Sequence, residues 1–269
     1  MRSAILSIIA AALVSAVPAF GHGRPPVPGD VTVEIISDNG REFQSFPLQD
    51  FWKSDTRLIK KYLEAKKGDN YGIVIRNTTS ERVGVVIAVD GRNILTGGRS
   101  DLKNSEMMYI VNPHEVARYE GWRTTDEEVH RFYFTEPADS YSVRTFADSS
   151  AMGVIAVAAY REHQRPQPLF EKKEAPSAAP SPLDGSASGL SGKSRADENA
   201  GTGFGDSSYS PVVHVEFEPE HTAFQKTLIK YEWRETLCRK GIIRCAEKRK
   251  NRLWDNQEYA PYPPGYPRS

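Results

Sequence analysis

Short runs of alternating apolar and polar residues fill most of the chain between residues 30 and 162. Residues 31–36, 71–75 and 83–89 show the pattern most clearly. An alternation of period two puts every second side chain on one face of a β-strand. The run 83–89 also carries small apolar residues at its intervening positions, so we expect a central strand that is covered on both faces.

Turn signals separate these runs. Asp90-Gly91 is a two-residue hairpin signal, because both central residues of that turn need positive φ. Further strands are predicted at residues 107–111, 117–122, 129–135 and 153–160. Strands at such short, regular spacing favour an all-β fold, an antiparallel β-sandwich or barrel, over a helical or α/β fold. We predict an antiparallel β-sandwich with a body at residues 30–162.

Two parts of the pattern predict additional elements. After Asp55 the sequence fits either a short helix or a strand at residues 62–65 that enters a turn. The C-terminal segment, residues 211–256, offers strands at 212–218 and 226–233 and then one helical turn that is capped at Gly241. A region this small is unsuited to forming a core of its own, so we expect its strands to pack on the body.

The composition changes sharply between the body and the C-terminal segment. Of the 36 residues from 175 to 210, 24 are Ala, Ser, Gly or Pro. Such a segment buries too little apolar surface to offset its ordering entropy, so we predict a long disordered linker over residues 163–210. The tail at residues 257–269 is rich in Pro and Tyr and is predicted to be extended.

The N-terminus indicates export. One arginine precedes an apolar run at residues 4–17, and small residues follow it, which is typical of a signal peptide over residues 1–21. An uncleaved anchor is the alternative. The run is shorter than the about 20 residues that span a bilayer, and no later stretch is long and apolar enough to do so. We therefore predict a periplasmic or secreted protein with no transmembrane span after removal of the signal.

The cysteines and the charge narrow the chemistry. Cys238 and Cys245 are the two cysteines of the chain, and in an oxidising compartment such a close pair favours a disulfide. A redox pair or half of a zinc site are the alternatives. Lys and Arg together number 35, as do Asp and Glu. A neutral chain has no global reason to bind nucleic acid. No cofactor or metal motif is present in the sequence, and we predict neither.

Several motifs together resemble a known group of proteins. They are Glu-Ala-x-x-Gly at residues 64–68, Arg-Asn at 76–77, Val-Asp-Gly at 89–91, and Gly-Trp-Arg at 121–123 followed by a Phe-Thr strand end at 134–135. The stretch 62–162 is similar to a family of uncharacterised secreted or periplasmic proteobacterial proteins. The resemblance implies a β-sandwich in the envelope or outside the cell. It supplies no catalytic residue.

Two places are candidate binding sites. Trp122 beside Arg123 at a strand end suits stacking on a sugar ring or anchoring a partner; a core tryptophan that closes the sandwich is the alternative. Lys248, Arg249 and Lys250 form a basic cluster that suits a polyanion; a solvated charged surface is the alternative. The expected partner is an unknown envelope protein or glycan.

No catalytic residue is predicted. Asp126, Glu127 and Glu128 follow Gly-Trp-Arg-Thr-Thr and could serve a hydrolase of an envelope polymer, with His130 or Arg123 in hydrogen-bond reach. Capping of a turn or solvation explains the three carboxylates more simply. The leading hypothesis is a non-enzymatic β-sandwich that binds or scaffolds in the cell envelope. The alternatives are that hydrolase and a carbohydrate- or polyanion-binding module.

Overall fold

Two mostly antiparallel β-sheets pack face to face in the computed structural model of the protein, which describes residues 30–163 and 199–245. The predicted all-β sandwich is confirmed. The first sheet contains β1 (Val31–Ser37), β4 (Asn70–Asn77), β8 (Val116–Tyr119), β9 (Gly121–Arg123), β10 (Glu128–Thr135), β12 (Gly201–Thr202) and β13 (Ser207–Tyr209). The second contains β2 (Ser45–Lys53), β3 (Thr56–Ala65), β5 (Val83–Val89), β6 (Arg92–Asn93), β7 (Tyr109–Val111), β11 (Val154–Arg161) and β14 (Gln225–Trp233).

Three short helical turns accompany the strands. They are a 3-10 turn at Pro137–Asp139, α1 (Tyr141–Phe146) and α2 (Arg234–Arg239). No helix within residues 30–163 and 199–245 is long and apolar enough to cross a membrane.

The strand β5 is an interior strand near one end of the second sheet, between β11 on one side and β6 and β7 on the other, whereas β14 and β11 lie at the centre of the sheet. All seven of its residues are buried, as the apolar run at residues 83–89 predicts. The turn that follows has φ of 49° at Asp90 and 76° at Gly91, and it joins β5 directly to β6. The predicted hairpin is thus confirmed.

The core lies between the sheets and follows the alternation of each strand. Tyr71 on β4 stacks on Phe134 of β10 with ring centroids 4.3 Å apart, and both side chains are fully buried. From the second sheet, Ile229 and Tyr231 of β14 enter the same cluster. Because every second residue points inward, the intervening residues of β14 form the outer face of that sheet.

The segment after Asp55 forms the strand β3 rather than a short helix. Its ten residues pair with β2 on one side and run parallel to β14 on the other. The parallel pair is a departure from the expected antiparallel architecture. It arises because β14, from the C-terminal segment, enters the sheet between β3 and β11.

Residues 212–218 do not form the predicted strand. Val213 and Val215 are 84% and 54% exposed, so the alternation there has no core to face. Phe217 packs instead against Gly84, where an added Cβ would lie 2.6 Å from its ring. This segment runs over the outer face of the second sheet and joins no ladder except for a single bridge at Pro219.

The boundary of the predicted linker needs correction. Residues 199–210 were expected in the linker, but they form β12 and β13, which both pair with β10. Gly203 lets this segment lie close to β10, because any side chain there would clash: an added Cβ would lie 2.1 Å from the ring of Tyr133. Residues 164–198, the proposed signal at 1–21 and the tail at 257–269 lie outside the described residues.

The C-terminal disulfide is confirmed. Cys238 and Cys245 are bonded, with their Cα atoms 5.7 Å apart. The helix α2 ends at Arg239 and is followed by the predicted capping residue Gly241, which has φ of 70°. The Gly241 and Ile242 amides donate to the carbonyls of Cys238 and Leu237, which is the hydrogen-bond pattern of a Schellman cap.

Candidate functional site: the lysine face of the second sheet

Trp122 lies in the core and closes one end of the sandwich. It is 2% exposed, its indole N–H donates to the Gly203 carbonyl at 3.0 Å, and its ring meets Phe132 edge-on at 5.3 Å. A buried indole with a satisfied N–H offers no face for a sugar ring. The simpler interpretation of this tryptophan, a core residue, is therefore the one that the structure supports.

Arg123 is engaged within the chain. Its Nε donates to the Tyr109 hydroxyl at 2.9 Å, and its terminal nitrogens donate to the Ser210 carbonyl and hydroxyl and to the Thr125 carbonyl. The bonds to Ser210 tie the segment that follows β13 to the body. The pair of Trp122 and Arg123 thus has a structural role here.

The acidic run beside Trp122 points to solvent. Asp126 and Glu127 are exposed, and the Asp126 carboxylate lies 3.1 Å from the exposed ring of His214. His130 stacks on Phe204 and its Nδ1 lies 2.9 Å from the Gly205 carbonyl. The arrangement expected of a hydrolase, a carboxylate with Arg123 or His130 in a cleft, is not formed. The basic cluster of Lys248, Arg249 and Lys250 lies outside the described residues.

Asp90 is the carboxylate with the most perturbed surroundings, and it is inaccessible. Its side chain is 1% exposed, and burial raises its pKa to about 6 even though it accepts hydrogen bonds from the Tyr231 hydroxyl and from the Gly153 and Thr202 amides. All of these donors belong to the fold itself. Buried and bonded to donors of both sheets, this carboxylate serves to join the sheets.

A polar cleft of about 390 Å³ opens where the end of β3 meets the loop between β1 and β2. Arg234 spans one wall and binds both carboxylate oxygens of Glu64 at 3.0 Å. Burial and the nearby Glu34 raise the pKa of Glu42, which lines the same cleft. The lining carries charges of both signs, so it has no clear preference for an anion or a cation. Within the described residues, no three His, Cys, Asp or Glu side chains are grouped to hold a metal ion.

The outer face of the second sheet is different in character. On β14, Gln225, Thr227 and Ile229 are buried toward the first sheet, so Lys226 and Leu228 point the other way. The same alternation places Leu58 and Lys60 of β3 on the outer face, and Phe51 and Lys53 of β2. We call these six side chains the lysine face: Phe51, Lys53, Leu58, Lys60, Lys226 and Leu228.

The strand register aligns this face into rows. Phe51 lies opposite Leu58, which lies opposite Lys226, so one row crosses three strands. Lys60 lies opposite Leu228 in the neighbouring row. Because adjacent strands are about 4.8 Å apart, the two lysines and the apolar side chains between them form one contiguous surface.

The charge of the lysine face is uncompensated. Lys53, Lys60 and Lys226 form no ion pair within residues 30–163 and 199–245. Farther along the outer face, by contrast, the fully buried carboxylate of Glu232 pairs with Lys240 and lies 4.0 Å from Lys230. The positive charge at the exposed end of the face is therefore available to an external anion.

Sequence reasoning missed this surface for a specific reason. Two of its lysines lie on the consecutive strands β2 and β3 and the third lies on β14, far along the chain, and residues 45–61 carry no regular alternation that would assign β2. No protein-family model matches the chain, and no curated protein or solved structure was found to be similar to it.

Proposed function

We propose that this protein is a non-enzymatic binding protein of the cell envelope or the extracellular space, and that its lysine face binds an anionic polysaccharide. The observation that carries the proposal is the set of three uncompensated lysines interleaved with Phe51, Leu58 and Leu228 on one sheet surface. Lysine ammonium groups attract phosphates or carboxylates, and apolar side chains cover the C–H faces of sugar rings.

Two observations support the location. The apolar N-terminal run is typical of an export signal. The Cys238–Cys245 disulfide suits an oxidising compartment. Membership in the family of secreted or periplasmic proteins that the sequence resembles is part of the same proposal.

Binding to lipopolysaccharide, which carries phosphates, and to neutral dextran tests the proposal. We expect lipopolysaccharide to bind in low salt and to dissociate as salt rises, because exposed charges are screened. Lys226→Glu should weaken binding by at least about fivefold. Arg76→Glu is the matched control, since it makes the same change of charge at an exposed position on β4 of the other sheet. It should change the affinity by less than about twofold.

Two results would contradict the proposal. Equal binding of dextran and lipopolysaccharide would remove the role of charge. Equal effects of Lys226→Glu and Arg76→Glu would show a response to net charge without a site on the second sheet.

The polar cleft favours a second candidate, a hydrolase of an envelope polymer. Its support is Glu42, a carboxyl whose pKa is raised, in a cleft that also holds the Arg234-paired carboxylate of Glu64. A pair of carboxyl groups in different surroundings, one acting as acid and the other as base or nucleophile, is the usual arrangement for glycoside hydrolysis. Release of reducing ends from peptidoglycan by the wild type, and its loss in Glu42→Gln, would favour this function over binding alone.

A further inference from the structure

The strand β2 forms an open edge of the second sheet. It pairs with β3 on one side, and no other strand of the described residues pairs with it on the other. A bulge between Pro47 and Gln49 interrupts its register, and the turn at Ser54 ends it. The regular part is therefore five residues long, from 49 to 53, and Phe51 is its midpoint.

The backbone of this edge is oriented to accept another strand. The Arg57 amide donates to the Phe224 carbonyl, so the main chain of Arg57 faces away from β2. Trp52 lies opposite Arg57, and its own amide and carbonyl consequently point away from β3, toward the open side. Unpaired edge groups of this kind are templates for strand addition.

The side chains on the edge are unusually apolar for a surface. Trp52 is 65% exposed, Leu48 52% and Phe51 41%. Natural edge strands are generally blunted by proline, a bulge or charge. Here Pro47 and the bulge block only the N-terminal part of β2, which leaves the five regular residues open.

We propose that β2 pairs with β2 of a second copy of this protein, antiparallel, with a two-fold axis through Phe51. This alignment uses the whole regular segment: Phe51 faces Phe51, Trp52 faces Asp50, and Lys53 faces Gln49 of the other copy. It sets no like charges opposite each other, and the Asp50 carboxylate keeps its ion pair with Arg57.

The neighbouring alignments are worse. An axis through Asp50 sets two aspartates face to face, which is destabilising. An axis through Trp52 requires Ser54 to pair, but Ser54 has φ of 52° and belongs to the turn. A five-residue ladder is a small interface, so we expect dimerisation at about 10–100 µM rather than a permanent dimer. The proposal does not depend on polysaccharide binding.

Engineered cysteines test the register directly. The two native cysteines are bonded to each other, so an added cysteine is the free thiol of the chain. Across an antiparallel pair whose main chains point apart, Cα atoms are about 4.5 Å apart, within the range of a disulfide. Phe51→Cys should therefore form a covalent dimer at least about tenfold faster than Gln49→Cys, whose two copies would lie about 14 Å apart. A mixture of Gln49→Cys and Lys53→Cys should cross-link where neither alone does.

Charge at the axis gives an independent test by sedimentation of the wild-type and variant full chains. Phe51→Asp and Phe51→Lys should each be monomeric, because the two-fold axis brings like charges together. Their equimolar mixture should restore the dimer. If the wild type stays monomeric at about 1 mM, or if Phe51→Cys cross-links no faster than Gln49→Cys, the proposal is wrong. Cross-linking of Phe51→Cys to another protein in preference to itself would also overturn it.

Discussion

The Tyr231 hydroxyl donates a hydrogen bond of 2.6 Å to the Asp90 carboxylate, and this contact is the last step of a chain that crosses the core. The Tyr71 hydroxyl donates to Thr202 at 2.8 Å, and Thr202 donates to Tyr231 at 2.7 Å. The direction follows because Asp90, when ionised, can only accept. These hydrogen bonds link β4 and β12 of the first sheet to β14 and the end of β5 in the second.

Tyr231→Phe should destabilise the fold. It removes the donor to Asp90 and leaves a fully buried carboxylate oxygen with one donor fewer, so we expect a loss of about 2 kcal/mol in the free energy of unfolding, measured in urea. Tyr160→Phe is the matched control, because that hydroxyl makes a single bond, to the Leu102 carbonyl, in a partly buried place. It should cost about 1 kcal/mol or less. Equal losses in the two variants would mean that the buried series of hydrogen bonds stabilises the fold no more than an ordinary hydrogen bond does.

The same carboxylate predicts a dependence of stability on pH. Burial raises the pKa of Asp90 from 3.8 in the unfolded chain to about 6 in the folded one. The folded state then binds the proton more tightly, so this group favours folding most at pH below about 4, and that contribution falls as pH rises through 6. We expect the wild type to lose about 2 kcal/mol from Asp90 over this window.

Asp90→Asn isolates this effect from other titrating groups. The variant carries no titrating group at this position, so its own stability should not change as Asp90 would titrate. The unfolding free energy of the wild type minus that of the variant should fall as the pH rises from 4 to 7. A difference that stays constant would contradict the raised pKa.

The parts of the fold that depend on local chemistry could be predicted from the sequence. The Asp90-Gly91 turn, the buried strand before it and the capping of α2 by Gly241 follow from φ preferences and alternation alone. The disulfide followed from the spacing of the two cysteines. Each of these signals lies within a few residues of chain, and tertiary packing does not have to be known to interpret it.

The parts that were missed depend on distant partners. Thr202 lies in a Gly- and Ser-rich stretch, and its place in the core is created by Tyr71, Tyr231 and Asp90, which lie at remote positions in the chain. Likewise, the lysine face exists only once β14 has entered the sheet beside β3. No local pattern marks such residues, so the composition of 199–210 suggested a linker.

A second buried carboxylate gives a prediction for the C-terminal segment. Glu232 is fully buried and pairs with Lys240, which lies in the loop closed by the disulfide. Lys240→Met leaves that charge with only Lys230 at 4.0 Å and should cost about 3 kcal/mol of unfolding free energy. Lys103→Met removes an exposed ion pair and should cost less than about 1 kcal/mol. If Glu232→Gln added to Lys240→Met recovers none of the loss, the buried charge is not its cause.

Gly121 fixes the position of Trp122, and its substitution should show this. The backbones of β9 and β10 approach so closely that an added Cβ would lie 2.2 Å from the His130 carbonyl oxygen, a rigid neighbour. Gly121→Ala must therefore push β9 away and loosen the packing of Trp122, and we expect a loss of at least about 2 kcal/mol in unfolding free energy. Gly98→Ala is the control, because its Cβ would meet only the Thr96 hydroxyl, at 3.3 Å. A similar, small loss in both variants would show that β9 can shift without cost to the core.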